Sequence, residues 1–264
     1  MAEILSPRPA ATVMTLRDRE QGYEILMLRR NLNSDFVGGA YVFPGGGVDP
    51  ADAGPAAQLL VRGLNDADAS KRLAIATGGL AYYVACLREL FEEAGLLIAC
   101  SAAGDPVLFS SETTIARMAA YRRDVNAGTL GFVEMMRQEG LHLDLRGLEY
   151  VAHWITPVGQ TRRFDTRFFV ALAPEGQVAT HDAGETVADQ WIRPRDALDA
   201  YARGEFELIF PTIRNLEAIA DFSTAHEVLA YARSLTSIPR TEPRIVTRDG
   251  AVSILLPGDD GYED

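Results

Sequence analysis

The sequence predicts an α/β (α+β) fold, in which a mixed sheet packs against helices and carries helical insertions. Three observations lead to this prediction. Short apolar runs rich in β-branched and aromatic residues alternate with longer segments of helical period, no stretch rich in proline, glycine or serine divides the chain, and 47% of the 264 residues are hydrophobic. A chain of this length can bury a substantial core. We therefore expect one domain over residues 1–264, with insertions near 53–79 and 110–145.

Strands are predicted at the start of the chain, where apolar runs end in turn residues. They cover residues 11–16, 23–28 and 40–43. The third run stops at Pro44, which is followed by Gly45, Gly46 and Gly47. Proline followed by glycines ends a strand and lets the backbone pass close to another group.

Helices are predicted in the middle of the chain. The alanine- and aspartate-rich residues 51–79 indicate short helices within an insertion, and a longer helix follows over about 80–94, where Gly95 suits the C-cap. Apolar residues at helical spacing predict two further helices, over 111–128 and 130–139.

The second half of the chain returns to strands and then to helices. Strands are predicted over 150–155, 167–172 and 186–192, and helices over 194–203, 211–220 and 224–234. The last element is a hairpin formed by 244–247 and 252–256 around Asp249-Gly250, which is the strongest hairpin signal in the chain.

The net charge of the chain limits the classes of partner that it is expected to bind. Thirty-seven acidic against 25 basic residues give a net charge of -12, which argues against a nucleic-acid surface and against an anionic membrane. No apolar run reaches the roughly 18 residues of a membrane span. We expect a small-molecule partner, and an acidic protein can bind phosphate compounds when a divalent ion supplies the positive charge.

Cysteine content predicts the compartment. Cys86 and Cys100 cannot build a disulfide framework, and neither belongs to a metal-binding pair spacing. Residues 1–10 show no signal-peptide pattern. A reducing, cytoplasmic setting is therefore expected.

The most informative segment is the acidic helix near residue 90. Glu89, Glu92 and Glu93 point within roughly a 100° arc of an ideal helix, and the apolar residues fall on the opposite side. The arc is predicted to be the outer face of the helix. Like charges this close repel, and hard oxygen ligands on one rigid face are what Mg²⁺ or Mn²⁺ needs. The alternative is a solvated acidic face without a ligand.

Two separated motifs complete a family pattern. Pro44-Gly45-Gly46 and the downstream run Arg88-Glu89-Leu90-Phe91-Glu92-Glu93-Ala94-Gly95-Leu96 together resemble the Nudix box, G-x5-E-x7-R-E-U-x-E-E-x-G-U, in which U is aliphatic. The second half matches at every specified position. In the first half Asp52 stands in place of glutamate, and Arg88 follows Gly46 by 42 positions instead of fourteen. An insertion of 28 residues, about 53–80, accounts for the difference and leaves the role of Asp52 open.

The resemblance implies a Nudix-type α/β/α sandwich and metal-dependent hydrolysis of a diphosphate. By resemblance, Glu92 and Glu93 are the main ligands of Mg²⁺ or Mn²⁺, Glu89 is a ligand or the base, and the carbonyl of Gly45 adds another ligand. Arg88 is expected to hold the glutamates in place by charge-assisted hydrogen bonds.

Other segments are similar to the Nudix branch that includes the peroxisomal coenzyme A diphosphatases. They are Met27 to Arg30, Phe36 to Gly39, Tyr41 to Gly46, His153 to Pro157, Arg162 to Phe169 and Phe210 to Thr212. The implied substrates are coenzyme A or acyl-coenzyme A, cleaved to 3′,5′-ADP and 4′-phosphopantetheine. NADH, ADP-ribose or a nucleotide sugar is the alternative within the family. A catalytically silent nucleotide-binding module is the alternative outside catalysis.

Several residues outside the helix are candidates for the site. Glu185 lies in a loop before a strand, where by resemblance it is the base or a further ligand; a solvated loop acid is the alternative. Paired arginines suit diphosphate or 3′-phosphate oxygens, and the glycine turn offers backbone groups to the same substrate. The substrate-binding candidates are Arg29, Arg30, Gly46, Arg162 and Arg163. A homodimer is a candidate assembly, on account of the inserted helices and the hairpin.

Overall fold

The computed structural model describes residues 5–32, 38–248 and 251–262. Within these residues the strands are β1 Arg8–Arg19, β2 Gly22–Arg30, β3 Tyr41–Val42, β4 Gly45–Gly47, β5 Val61–Arg62, β6 Ala99–Cys100, β7 His142–Asp144, β8 Glu149–Ile155, β9 Phe164–Leu172, β10 Thr186–Ile192, β11 Arg240–Thr241, β12 Arg244–Arg248 and β13 Ala251–Leu255. The helices are α1 Pro55–Leu59, α2 Asp66–Arg72, α3 Gly79–Ala94, α4 Glu112–Asn126, α5 Phe132–Gln138, α6 Pro194–Ala202, α7 Phe210–Ile219 and α8 Ala225–Ser234.

A mixed sheet forms the centre of the described part of the chain. Its strand order is β10-β2-β1-β9-β8-β11, with β3 paired to β2 and β4 paired to β1. Strand β1 pairs with β9 in parallel from Arg8–Phe164 to Leu16–Leu172, and antiparallel with β2 and β4. Strand β1 therefore joins the glycine-rich strand to the rest of the sheet.

Helices cover both faces of this sheet. Ala11, Val13 and Phe169 pack against α3 on one face, while Met14 and Val170 pack against α7 and α8 on the other. Alternate residues of one strand thus serve two separate cores, as the two-residue period of a strand requires. The predicted mixed α/β/α sandwich is confirmed.

The first insertion is built onto the start of α3. The carboxylate of Asp66 accepts the backbone N–H groups of Gly78 and Leu80, each at 3.0 Å, and the hydroxyl of Ser70 accepts that of Gly79 at 2.9 Å. These are N–H groups that a helix start leaves without intrahelical partners. A Cβ at Gly79 would lie 2.3 Å from the nitrogen of Ser70, so only glycine fits there.

The second insertion lies at the other end of α3. Helix α5 buries Met135 and Met136 completely, and Phe132 lies against Phe91 of α3 with 5.9 Å between ring centroids. A small sheet, β5-β7-β6, joins the two insertions to each other. The sequence did not predict this sheet, because strands of two or three residues carry no measurable period.

The structure differs from the prediction at the third strand and at the glycines that follow it. The predicted strand 40–43 contains only Tyr41–Val42 in strand geometry, and the chain pairs with β1 again at Gly45–Gly47. The carbonyl of Pro44 accepts the N–H of Val13 at 2.9 Å, which continues the ladder through the proline. Proline lacks only a donor, so its carbonyl still serves the sheet.

The C-terminal hairpin is confirmed as an antiparallel pair, β12 with β13. Its turn, Asp249-Gly250, lies outside the described residues, and so does Phe36-Val37 of the Phe36 to Gly39 segment. In the part of the chain that the structure describes, no helix has the length and apolar character that crossing a membrane requires.

Candidate active site

Helix α3 carries the acidic cluster where the sequence places it. The helix ends at Gly95, whose φ of 70° is the left-handed conformation of a C-cap glycine. The prediction of a solvent-facing acidic arc was wrong: Glu93 is 6% exposed and the neighbouring Arg88 is 7% exposed. Helical periodicity distinguishes a polar side from an apolar one, but it does not show whether another strand covers the polar side.

Strand β4 covers the acidic side of α3. The N–H of Gly45 donates to Oε2 of Glu93 at 2.9 Å. A Cβ at Gly46 would lie 2.4 Å from Oε1 of Glu89, so any side chain there would displace the carboxylate. The glycines therefore allow the close approach of backbone to acid that the sequence predicted. Gly45 contacts the cluster through its N–H, and the ligand role of its carbonyl stays a prediction.

Arg88 and Asp52 form a buried, bidentate ion pair. Nε and Nη2 of Arg88 each donate to one carboxylate oxygen of Asp52, both at 3.0 Å, and Asp52 is 1% exposed. Nη2 also donates to the carbonyl of Gly47 at 2.7 Å, and Asp52 accepts the N–H of Asp49 at 2.8 Å. The aspartate that replaces the glutamate of the box is thus the fixed partner of Arg88.

The remaining nitrogen of Arg88 reaches the helix acids. Nη1 donates to Glu89 Oε1 at 2.9 Å and to Glu92 Oε2 at 3.2 Å, which are the contacts that the sequence analysis expected. Burial lowers the pKa of Arg88, but the hydrogen bond to Asp52 and the charge of Glu89 outweigh it and raise the pKa overall. One cation therefore faces three carboxylates.

The acids of α3 are held in an environment that disfavours their charge. Burial raises the pKa of Glu89 to about 7, with Arg88 opposing the shift and Glu92 and Glu185 adding to it. Burial also raises the pKa of Glu92, and it raises that of Glu93 well above its ordinary value, where the charge of Glu89 adds to the effect. Negative charge is in excess, and a further cation would relieve it.

The donor set fits a hard divalent ion. Mg²⁺ and Mn²⁺ prefer hard oxygen ligands such as carboxylates. Helix α3 supplies several such oxygens, and burial and mutual repulsion raise the pKa values of these groups. Among the described residues, no three acid, histidine or cysteine side chains converge on one point. The hydrogen bonds explain this, since Arg88 holds Glu89 and Glu92 while Gly45 holds Glu93. Release of these bonds would free the oxygens for an ion.

The loop that carries Glu185 faces the same acids. The charge of Glu185 raises the pKa of both Glu89 and Glu93. The carbonyl of Glu185 accepts the N–H of Asn31 at 2.9 Å, which fixes the loop beside the end of β2. The structure thus brings Glu185 to the acidic site, and its role as base or ligand stays a prediction.

The arginine candidates divide into different environments. Burial raises the pKa of Glu93, and the charge of Arg30 partly opposes that rise, so Arg30 lies near the acidic site. Arg29 donates to the carbonyl of Gly39 at 3.3 Å and lies 5.9 Å from the ring centroid of Tyr41. Arg162 is exposed just before β9.

Substrate binding by Arg163 is contradicted by the structure. Its guanidinium donates to the carbonyl of Thr156 at 2.9 Å, to the carbonyl of Leu5 at 2.6 Å and to Glu242, and its side chain is 5% exposed. These contacts tie the segment before β1 and the segment between β11 and β12 to the start of β9. A buried guanidinium with such partners has no fork left for a phosphate.

Two residues that contact the far end of α3 were not predicted from the sequence. Arg122 and Asn126 of α4 both donate to the carbonyl of Glu92, at 2.8 and 3.1 Å. The two residues are some thirty positions from Glu92 in sequence and belong to no motif. An inserted helix of ordinary composition gives no signal of where its polar side chains will dock.

The chain is similar to known proteins over most of its length. The family model described as the NUDT19 Nudix domain matches residues 63–219, more than half of the chain. Acyl-coenzyme A diphosphatase NUDT19 of Xenopus laevis is 26% identical over 97% of this chain and 75% of that protein, and the Homo sapiens protein of the same name is 28% identical over 92% and 73%. The crystal structure of a NUDIX hydrolase from Alicyclobacillus acidocaldarius, 28% identical, covers 85% of this chain and 96% of its own, with a TM-score of 0.67.

Proposed function

This chain belongs to the NUDT19 Nudix domain family and is a Nudix diphosphohydrolase, and we propose that it cleaves coenzyme A or an acyl-coenzyme A to 3′,5′-ADP and a 4′-phosphopantetheine. The observation that carries the proposal is the cluster of α3, where Glu89 and Glu92 share the guanidinium of Arg88 while Glu93 accepts the N–H of Gly45 in the glycine strand that covers them. The relatives named as acyl-coenzyme A diphosphatases support the choice of substrate.

A diphosphate resists hydrolysis because its oxygens repel an attacking hydroxide. A divalent ion, when bound, neutralises that charge and helps to activate water. We assign Glu92 and Glu93 as the main ligands, with Glu89 as a further ligand or as the base, and Mg²⁺ or Mn²⁺ as the ion. Arg88 orients these carboxylates through its anchored contact with Asp52.

The proton of the attacking water needs a carboxylate acceptor. Glu89 is the first candidate, because its carboxylate lies in the cluster of α3 and is oriented by the hydrogen bond from Arg88. Glu185 is the second candidate, because it lies on an exposed loop that faces the same acids. An in-line attack on phosphorus would leave the phosphoadenosine and phosphopantetheine halves as separate phosphates.

We propose that Arg29, Arg30, Arg162 and the backbone of Gly46 contact the substrate phosphates. Arg30 has the best support, because its charge acts on Glu93. A planar guanidinium can bind two oxygens of a phosphate at once. Arg163 is excluded from this group by its internal contacts.

A substrate panel tests the proposal. The protein is incubated with coenzyme A, acetyl-coenzyme A, NADH and ADP-ribose in the presence of Mg²⁺, Mn²⁺ or EDTA, and the products are identified by mass. We expect 3′,5′-ADP from the first two substrates and no product with EDTA. Cleavage of NADH or ADP-ribose alone would replace the proposed substrate, and no cleavage of any diphosphate would indicate a silent binding module.

Two variants with the same charge change control the panel. Glu92→Gln removes one carboxylate charge from the cluster of α3, and we expect it to abolish turnover while the fold remains intact. Glu134→Gln removes one from the exposed pair with Arg137 on α5, and we expect unchanged turnover. Full activity of Glu92→Gln at saturating Mg²⁺ would count decisively against the assignment.

Three expectations from the sequence stay predictions: one functional domain over residues 1–264, a homodimer and a cytoplasmic setting. Both cysteines are free and buried, which is consistent with the last of these.

A further inference from the structure

We propose that Arg122 of the inserted helix α4 is a positioning residue, which fixes the loop of residues 180–186 against the end of α3 and thereby sets the position of the Glu185 carboxylate. The kinetic part of this inference rests on the proposed function. Its structural part concerns only the loop and the helix, and it can be tested without a substrate.

The guanidinium of Arg122 joins the helix to the loop. Nε donates to the carbonyl of Glu92 at 2.8 Å, in the last turn of α3, and Nη1 donates to Oγ1 of Thr180 at 3.0 Å. The N–H of Thr180 donates to the carbonyl of Ala94 at 2.9 Å. Carbonyls in the last turn of a helix lack intrahelical partners, so external donors bind there readily. One rigid fork thus connects the acidic helix to the start of the loop.

The loop beyond Thr180 has its own internal support. The carboxylate of Asp182 accepts the N–H of Glu185 at 3.0 Å and the N–H of Thr186 at 2.8 Å. Ala183 adopts a φ of 62°, a left-handed conformation that a residue with a side chain rarely holds without such support. Residues 182–186 therefore form a tight unit. A shift at the Thr180 end would carry Glu185 with it.

The charge of Arg122 has a second effect at this junction. Burial lowers its pKa, and the charges of Asp182, Glu93 and Asp189 oppose that shift. Within the described residues, Nη2 of Arg122 is buried without a hydrogen-bond partner. A partly desolvated cation thus lies between an acidic loop and an acidic helix, which would otherwise repel each other.

Asn126 provides a matched control on the same helix. Its Nδ2 donates to the same carbonyl of Glu92 at 3.1 Å, but within the described residues its side chain makes no hydrogen bond to the loop. Thr180→Val provides the opposite test. It removes the Oγ1 acceptor, while the backbone bond to Ala94 remains available. Loss of the loop contact can thus be separated from loss of the helix-end contact.

Hydrogen exchange gives the first readout. We expect Arg122→Ala and Thr180→Val to speed exchange of the amides of residues 181–186 by about tenfold or more, and Asn126→Ala to leave it near the wild-type rate. Equal exchange in Arg122→Ala and Asn126→Ala would overturn the proposal. Because no substrate is added, this result stands even if the panel shows no hydrolysis, so the two failures are distinguishable.

A double-mutant cycle gives the second readout. We expect Arg122→Ala to lower kcat by roughly 10- to 100-fold with little change in KM, since misplacing a catalytic group by about 1 Å is that costly. Glu185→Gln should cost at least as much, and the double variant should lose no more than Glu185→Gln alone. Additive losses would overturn the proposal, and so would full activity of Glu185→Gln.

Discussion

The two ends of helix α3 are held from outside by different insertions, and the two attachments have opposite characters. At the start, Asp66 and Ser70 accept the N–H groups of residues 78–80, and the helix there is apolar. At the end, Arg122 and Asn126 donate to the carbonyl of Glu92, beside the crowded carboxylates. The contacts at the start of α3 contribute to the stability of the fold. The contacts at its end lie beside carboxylates whose mutual repulsion lowers that stability.

This difference separates scaffold from chemistry along a single helix. The first two turns are almost completely buried among apolar side chains. The last two turns hold acids whose pKa values are raised, which means that folding opposes their ionised form. Substitutions at the start should therefore change the free energy of unfolding, and substitutions at the end should change turnover.

After the loss of turnover expected for Glu92→Gln, the largest effect is expected from Glu93→Gln, also at the chemical end. We expect hydrolysis to fall by about 10³-fold, since an ion ligand that supplies several kcal/mol in the transition state is lost. The amide oxygen can still accept the N–H of Gly45, and a buried charge is removed, so the melting temperature should not fall. Steady-state assays and thermal melts check both. A variant that is both less active and clearly less stable would contradict the division of α3 into a stabilising start and a chemical end.

Asp52→Asn should have the next largest effect, this time on stability. It replaces the bidentate ion pair by neutral amide contacts while Glu89 and Glu92 still face Arg88, and we expect a loss of about 2–3 kcal/mol in the free energy of unfolding. Urea titration measures it. Asp49→Asn is the control, because Asp49 is 63% exposed and lies 3.8 Å from the same arginine. Its loss should stay below about 1 kcal/mol.

The pH dependence of stability should report Glu89. Its pKa rises from an ordinary value of 4.5 to about 7 on folding, so the folded state holds this proton more tightly than the unfolded state does. The contribution of Glu89 to the free energy of unfolding is fully present below about pH 4.5 and is lost as the pH rises through about 7. Unfolding of the EDTA-treated protein across this window measures the slope.

Glu89→Gln should reduce that slope, and the raised pKa values of Glu92 and Glu93 account for the part that remains. Mg²⁺ added at pH 8 should restore stability to the wild type by binding the ionised cluster. Denaturant titrations with and without Mg²⁺ check both. A wild-type slope that survives in Glu89→Gln would assign the effect to another group and remove this support for a strained acidic end.

The smallest expected effect belongs to the scaffold end. Asp66→Ala removes the acceptor of two helix-start N–H groups, and we expect a loss of about 1–2 kcal/mol with unchanged kcat per folded molecule. Asp68→Ala loses only the exposed side-chain contact with Asn65 and keeps its own backbone N–H bond to that residue, so it should cost less. Chemical denaturation and kcat on the same samples decide the point. A kcat that falls with Asp66→Ala would show that the start of α3 also governs the site.

Sequence alone predicted α3 well, because sixteen residues of helical period and a terminal glycine are a long and specific signal. It failed at β4, whose three glycines have no apolar alternation; their strand geometry comes from pairing with β1. The same strand covers the acidic face, so the error about β4 also produced the error about the outer face. Partner strands distant in sequence cannot be read from a local pattern.

The arginines show the same limit for the site. Arg88 and Arg163 are both buried, and all three guanidinium nitrogens of each donate hydrogen bonds. Arg88 nevertheless lies among the acids of α3, whereas Arg163 joins Leu5 to Glu242. The box identified the first because its neighbours are also specified. The second stood in a run of polar residues without a spacing to test, and Arg122 had no pattern at all.

The bidentate contact between Asp52 and Arg88 has a consequence for finding such enzymes in genomes. The contact brings the two halves of the box together in space, so the chain between them is an insertion whose two ends are adjacent. The entropic cost of closing such an insertion grows only slowly with its length. Searches that demand a fixed gap will overlook chains of this kind, and a pattern anchored on the acid and the arginine with a free interval between them should recover them.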